Sequence, residues 1–191
     1  MDETWNILYI LSLTILEDVK KEDAYTLVSK LKSFLDQVLL YFKKVCPTES
    51  IMQCTDTNQL FLWMYECRKK ISDSPPFKKL IDYYQSMNKK ERPGSLLTKD
   101  VWGAYIWKWM HKTALTNTNV SPLFYSLFNI LPCEKCKTHA LAYYNQFPIP
   151  SQNAFEWTIQ FHNSVSKQTN EEYGKRRRYY TVEESLSMYQ N

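Results

Sequence analysis

Apolar residues recur at three- and four-residue spacing along almost the whole chain, and this spacing constrains the fold more than any other feature. Between residues 23 and 45, Leu27, Leu31, Phe34, Leu35, Val38 and Phe42 fall on one face of a helix. Strand-type alternation is nearly absent, and three glycines in 191 residues leave little material for the turns of an all-β fold. The expectation is an all-α fold, with helices over about 4–20, 23–45, 58–71, 77–90, 99–115, 121–131, 132–146, 152–169 and from 182 onward. Pro47 and Pro75-Pro76 break the early helices, and Arg92-Pro-Gly-Ser95 reads as a linker. Thr98, with Asp100 in the first turn, and Ser151, after the Pro148-Ile-Pro150 turn, read as N-caps.

The linker divides the chain into residues 1–94 and 95–191. The second part is a four-helix unit, and the first resembles a worn copy of it. Phe61-Leu-Trp63 matches Phe155-Glu-Trp157, and Ile71 with Val165 and Phe34 with Phe128 keep the same spacing. At that offset Leu39 and Phe42 stand where the second half has Cys133 and Cys136. Two readings stay open: a duplication whose first copy lost its chemistry, or the likeness any two amphipathic helices share.

Composition removes several classes of function. A net charge of +4 demands no nucleic-acid partner, and the run Lys175–Arg178 before Tyr179-Tyr180 is more often a solvated surface. The apolar run from Trp5 to Leu16 lacks a basic leader and a small-residue cleavage site, is too short to span a bilayer, and continues into Glu17 and Asp18. It reads as a core helix, and no signal peptide or membrane span is expected. Five cysteines, an odd count with one tight pair, are unlike the disulfide framework of a small secreted domain. Cys46, Cys54 and Cys67 read as buried free thiols, with a Cys46–Cys54 disulfide as the alternative.

The tight pair lies in Leu131-Pro-Cys-Glu-Lys-Cys-Lys-Thr-His139. Pro132 suits the first position of a helix, which puts Cys133 and Cys136 in its first turn, near the positive end of the helix dipole. A thiolate there is stabilised, and two sulfurs at this spacing can close a disulfide. The same spacing is half of a zinc site that His139, with His162 as a candidate fourth ligand, would extend. On this segment alone both chemistries stay open. Elsewhere, Trp107 and His111 share a helix face, as a clasp for a planar ligand or as ordinary core. His162 and Asn163 fall mid-helix, where asparagine asks for a hydrogen-bonding reason, and Ser166 and Lys167 continue that face.

Taken in order, W-G-x-x-x-W-x-x-x-H from Trp102 to His111, P-C-x-x-C-x-x-H from Pro132 to His139, and F-x-W-x-x-x-F-H-N-x-V from Phe155 to Val165 resemble the Erv/ALR family of FAD-linked sulfhydryl oxidases. The likeness covers about residues 99–170 and is greatest to the viral, baculovirus-type members. It implies a four-helix bundle holding FAD in its mouth. Cys136 would be the sulfur beside the flavin, and Cys133 the sulfur that an incoming thiolate attacks. Trp107, His111, His162 and Asn163 would be FAD contacts, with Val165, Ser166 and Lys167 continuing that face and Gly103 letting its helix approach the cofactor. The implied reaction oxidises thiols of substrate proteins to disulfides and passes the electrons to O2, giving peroxide. A homodimer or an intrachain pseudo-dimer is expected, acting in the host cytoplasm or nucleus and the virion. The chain departs from the family pattern at Ser166, where asparagine is usual, and at Leu131, where an aromatic is common. No cysteine follows Cys136, and Lys175–Arg178 stands in for lysines that meet the cofactor phosphates. The rivals are a zinc module on Cys133, Cys136 and His139 and a helical interaction protein, which would bind nucleic acid, if at all, with a steep salt dependence.

Overall fold

A computed structural model describes residues 3–16, 21–39, 46–86 and 97–189. Every regular element among them is helical. Helix α1 (Glu3–Thr14) is apolar on all sides, and Ile7 to Leu11 are completely buried. A helix with no polar face belongs inside, and α1 packs on two neighbours at once. The Ser12 and Thr14 hydroxyls satisfy themselves by donating to the Tyr9 and Ile10 carbonyls at 2.7 and 2.8 Å. No helix among the described residues is long and apolar enough to cross a membrane.

Helix α2 (Lys21–Val38) is followed by a 3₁₀ segment (Thr48–Gln53), α3 (Thr57–Ile71) and α4 (Phe77–Ser86). The second half holds α5 (Lys99–Thr116), α6 (Ser121–Phe128), α7 (Glu134–Gln146), α8 (Ala154–Tyr173) and α9 (Val182–Tyr189). Several ends differ from the sequence reading. α1 stops at Thr14, before the expected 20, and Ile15 and Leu16 form a turn. The expected extensions over 17–20, 40–45 and 87–90, and the 92–95 linker, lie outside the described residues. α6 stops at Phe128, not 131, because a residue before proline is driven out of the helical region and Leu131 precedes Pro132. Pro132 is not the first residue of α7 either: Cys133, extended at φ −111° and ψ 115°, is its N-cap, which leaves Pro132 outside the helix. α8 is capped by Asn153 in the left-handed region (φ 63°), not by Ser151. It runs past the expected 169 to Gly174, whose φ of 60° is the left-handed stop that glycine accepts without strain.

α1 packs against α3 and α5, α2 against the 3₁₀ segment and α6, α5 against α8, α6 against α7, and α8 against α9. The two halves thus meet through α1 on α5 and α2 on α6. The buried Phe34 meets Trp109 edge-on with ring centroids 5.7 Å apart. The Trp109 indole N–H donates to Thr4 Oγ1 at 3.4 Å, and Glu3 pairs with Lys112 at 2.8 Å and Lys108 at 3.1 Å. The Lys112 hydrogen bond, helped by Lys108, holds the Glu3 carboxyl down to about 2.

Cys46, Cys54 and Cys67 are buried free thiols, as first read; the alternative Cys46–Cys54 disulfide is not formed. The Cys46 thiol donates to the Cys67 carbonyl at 3.3 Å, and burial pushes the Cys67 thiol well above its ordinary value. No cluster of three or more metal-ligating side chains occurs among the described residues, which leaves the zinc reading of His139 without a site.

Phe34→Ala should cost about 3–5 kcal/mol, because it empties a fully buried position between the halves; urea unfolding measures it. Glu3 contributes stability that is present above its unfolded value near 4.5 and is lost as pH falls towards 2. The stability gap between the chain and Glu3→Gln should therefore narrow over that window.

Candidate functional site

Cys133 and Cys136 form a disulfide, with Cα atoms 5.1 Å apart. The backbone N–H of Cys136 donates to Cys133 Sγ at 3.2 Å, and that of Lys137 to the Cys133 carbonyl at 2.9 Å. The N-cap residue of α7 thus carries one sulfur and the third helical residue the other. Negative charge released on Cys136 would lie in the first turn, against the helix dipole. Lys135, between the two cysteines, is tied to the end of α8 by Glu172 at 2.5 Å and the Tyr173 hydroxyl at 3.2 Å.

Across the bundle, α5 and α8 assemble a stack of flat rings. Trp107 and His162 lie 4.2 Å apart with an interplanar angle of 5°, and Trp107 and His111 are 5.8 Å apart at 18°. A hydrogen-bond chain fixes the imidazoles. The Thr158 hydroxyl donates to the Phe155 carbonyl at 2.6 Å, so it accepts from His111 Nδ1–H at 2.8 Å. His111 Nε2 is then an acceptor and receives His162 Nδ1–H at 3.2 Å. Both rings are neutral, and Nε2 of His162 is left unprotonated. Burial lowers His111 to about 3, with His162 beside it, and burial lowers His162 to about 4, with the Arg177 cation adding to it.

The segment after Gly174 is pinned to α8 by two side-chain amides. Asn163 spans the backbone of Tyr180, donating to its carbonyl at 2.8 Å and accepting from its N–H at 2.9 Å. Asn170, two turns on, does the same to Arg177 at 2.9 and 2.6 Å. This clamp sets the Tyr180 ring 5.2 Å from His162 and brings Arg177 to Asp100 at 2.7 Å. α9 then closes the end, with Tyr189 5.4 Å from His111.

These elements enclose a cavity of about 340 Å³. Gly103, Trp107, His111, Cys136, His162 and Val165 line it, with His139 and Arg177. A Cβ placed on Gly103 would meet nothing within 4 Å, so the glycine fronts open space. Four expected residues are not on the lining: Cys133, the outer sulfur; Asn163, whose amide is committed to Tyr180; Ser166, which is buried; and Lys167, which is exposed. The hydrogen-bonding reason that Asn163 asked for is the backbone clamp. Sequence reasoning missed Tyr189 and Asn170 and took Tyr180 only with the basic run, although Asn170 repeats Asn163 at a seven-residue interval on the same face. Of the basic run, Arg177 alone lines the cavity, while Arg178 pairs with Glu184 at 2.5 Å.

Residues 104–185 match the sequence profile of the Erv1 / Alr family. The chain is 31% identical over 88 residues to the probable FAD-linked sulfhydryl oxidase R368 of Acanthamoeba polyphaga mimivirus, an alignment covering 38% of this chain and 62% of that protein. It is 27% identical over 81 residues to the FAD-linked sulfhydryl oxidase of African swine fever virus in a Malawi tick isolate, covering 36% of this chain and 68% of that protein. A Kenyan pig isolate of the same virus gives the same figures. No solved structure matches.

Thr158→Val leaves the His111 N–H buried without its acceptor and should cost about 1–3 kcal/mol, read from the urea midpoint. The depressed histidines also set a pH dependence. Their contribution is complete above the unfolded value of 6.5 and is lost as pH falls towards 4 and then 3. Each ring should steepen the loss of stability below pH 6.5 by up to about 1.4 kcal/mol per pH unit, which denaturation curves at pH 7, 6 and 5 will show.

Proposed function

We propose that this chain, whose residues 104–185 are an Erv1 / Alr domain, is a FAD-linked thiol oxidase that forms disulfides in substrate proteins. The observation that carries the reading is that Cys136, one sulfur of a vicinal disulfide, lines the same cavity as the parallel Trp107–His162 stack. The cavity suits the cofactor. Gly103 leaves open space, Trp107 and His162 offer flat faces to a planar ring, and the unprotonated His162 Nε2 offers an acceptor. Arg177, held at the cavity by Asn170 and Asp100, supplies positive charge for a phosphate. FAD, when bound, accepts two electrons from the cysteine pair and passes them to O2, giving H2O2.

The protein's own part is thiol–disulfide exchange. A substrate thiolate attacks Cys133, the sulfur outside the cavity, and Cys136 leaves as thiolate. A second substrate thiol resolves the mixed disulfide on Cys133. The α7 dipole stabilises the leaving charge, so the sulfur facing the cavity is the better leaving group. The buried Cys46, Cys54 and Cys67 make poor relays, because exchange needs an accessible thiolate, and substrates therefore meet Cys133 directly.

The N-terminal half is read as a degenerate copy that makes an intrachain pseudo-dimer, with residues 1–94 as the copy and 95–191 as the catalytic part. Phe61 and Phe155 are 94 positions apart, and the corresponding helices α1 and α5, and α2 and α6, pack on each other, as equivalent surfaces do across a two-fold interface. At that offset Tyr9 replaces Gly103 and Arg68 replaces His162. The fully buried Tyr9, 5.1 Å from Phe61 and 5.8 Å from Tyr84, fills the space its counterpart leaves open. A homodimer of whole chains is compatible with this arrangement. The viral relatives support a viral origin, and action in the host cytoplasm or nucleus or in the virion is proposed with it.

Oxygen uptake with a reduced, unfolded protein as substrate tests the reading. The chain loaded with FAD should consume oxygen and form substrate disulfides, while Cys133→Ser and Cys136→Ser should fall to the background rate. Undiminished uptake in either variant would overturn it.

A further inference from the structure

His139 lies one turn beyond Cys136 on α7, at the three-residue spacing that puts two side chains on one helix face. Both line the cavity. The His139 ring is half-buried, 6.2 Å from the ring of Phe161. Among the described residues no metal-ligating cluster includes it, and disulfide exchange as described gives it no task. Lys99, Asp100, Arg177, Lys135, Glu172 and Tyr173 border the same cavity. Most of these are mutually paired, Asp100 with Arg177 and Lys135 with Glu172 and Tyr173. Burial lowers the affinity of His139 for a proton, Lys99 adds to this and Glu172 opposes it.

We propose that His139 is the proton partner of Cys136, neutral while the disulfide is closed and protonated once it opens. The inference rests on the Cys133–Cys136 pair being the exchanging disulfide. When a substrate thiolate breaks the S–S bond, Cys136 takes the electron pair of that bond and becomes a thiolate one turn from the imidazole. An anion at that distance, in a partly dehydrated cavity, favours the imidazolium. Over the whole exchange, two substrate thiols and the closed disulfide give one substrate disulfide, a Cys133 thiol, a Cys136 thiolate and a His139 imidazolium. Two electrons pass to the cysteine pair. Of the two protons released, one goes to Cys133 and one to His139. The ion pair keeps Cys136 ionised, the form in which it can give up electrons, and stores its proton within the cavity.

The flavin-free full chain gives a direct test. The ring signals of His139, followed by nuclear magnetic resonance as a function of pH, should titrate below 6.5 in the disulfide form and above 6.5 after reduction under argon. In Cys133→Ser, Cys136 is the one cysteine not buried, so iodoacetamide reads its ionisation. Adding His139→Gln should slow that alkylation at pH 6.5 by at least about tenfold, which corresponds to one pKa unit, with the two profiles merging above pH 9. Equal His139 midpoints in the two forms, or superimposed alkylation profiles, would overturn the proposal and leave the helix dipole as the source of the thiolate. A glutathione redox titration separates this failure from a deeper one. If the Cys133–Cys136 disulfide does not open and close reversibly, the exchange reading falls and the proton partner with it; if it does, His139 falls alone.

Discussion

The parallel contact between Trp107 and His162 joins α5 to α8, and the arrangement of the site follows from it. The rings are 4.2 Å apart, close enough that neither helix can rotate without breaking the stack. The Nδ1–H of His162 in turn donates to His111, and the Nδ1–H of His111 donates to Thr158, one turn before His162 on α8. The ring stack and the hydrogen-bond chain thus cross-link the same two helices at one level of the bundle. Because both imidazoles are buried, the charged form is disfavoured and the chain runs in one direction only. A neutral, polarised wall is the result, suited to an uncharged ring system.

The remaining pieces are placed relative to that wall by backbone devices. α6 ends at Phe128, Pro132 disfavours a helical Leu131, and the turn between the helices leaves Cys133 as the cap and Cys136 in the first turn of α7. Gly174 reverses the chain after α8, and Asn163 and Asn170 fasten the returning strand of backbone along the helix it has just left. Two amides thereby fix Tyr180 over His162 and Arg177 at the cavity. On the far side of α5 the largely apolar and buried α1 supplies a packed surface, so that α5 is held from both faces.

The fold class was legible in the sequence because it depends on local spacing, whereas the chemistry stayed open between redox and zinc until the three motifs were taken together as a family resemblance. Helical periodicity marks α2, α3, α5 and α8, and the separation of Trp107 from His111 puts both on one face whatever surrounds them. The helix ends were less legible. The left-handed cap at Asn153 and the early stop of α6 come from backbone conformations that a neighbouring proline or a tertiary contact selects. Asn163 and Ser166 show a further limit. A polar residue in a helix announces that it needs a partner, but the partner of Asn163 is the backbone of Tyr180, beyond a chain reversal that no pattern around residue 163 encodes. Ser166 looked like part of a polar face and is instead buried. The closing contact of Tyr189 with His111 is non-local in the same way.

The proposed oxidase chemistry requires electrons to pass from Cys136 to a flavin seated against the α5–α8 wall. A visible absorption spectrum of the purified chain, taken before and after dithiothreitol under air, tests this most directly. The account predicts a flavin spectrum that bleaches as thiol is consumed and returns when oxygen is admitted. A chain that stays colourless after incubation with FAD, or binds FAD whose spectrum thiol leaves unchanged, would contradict it.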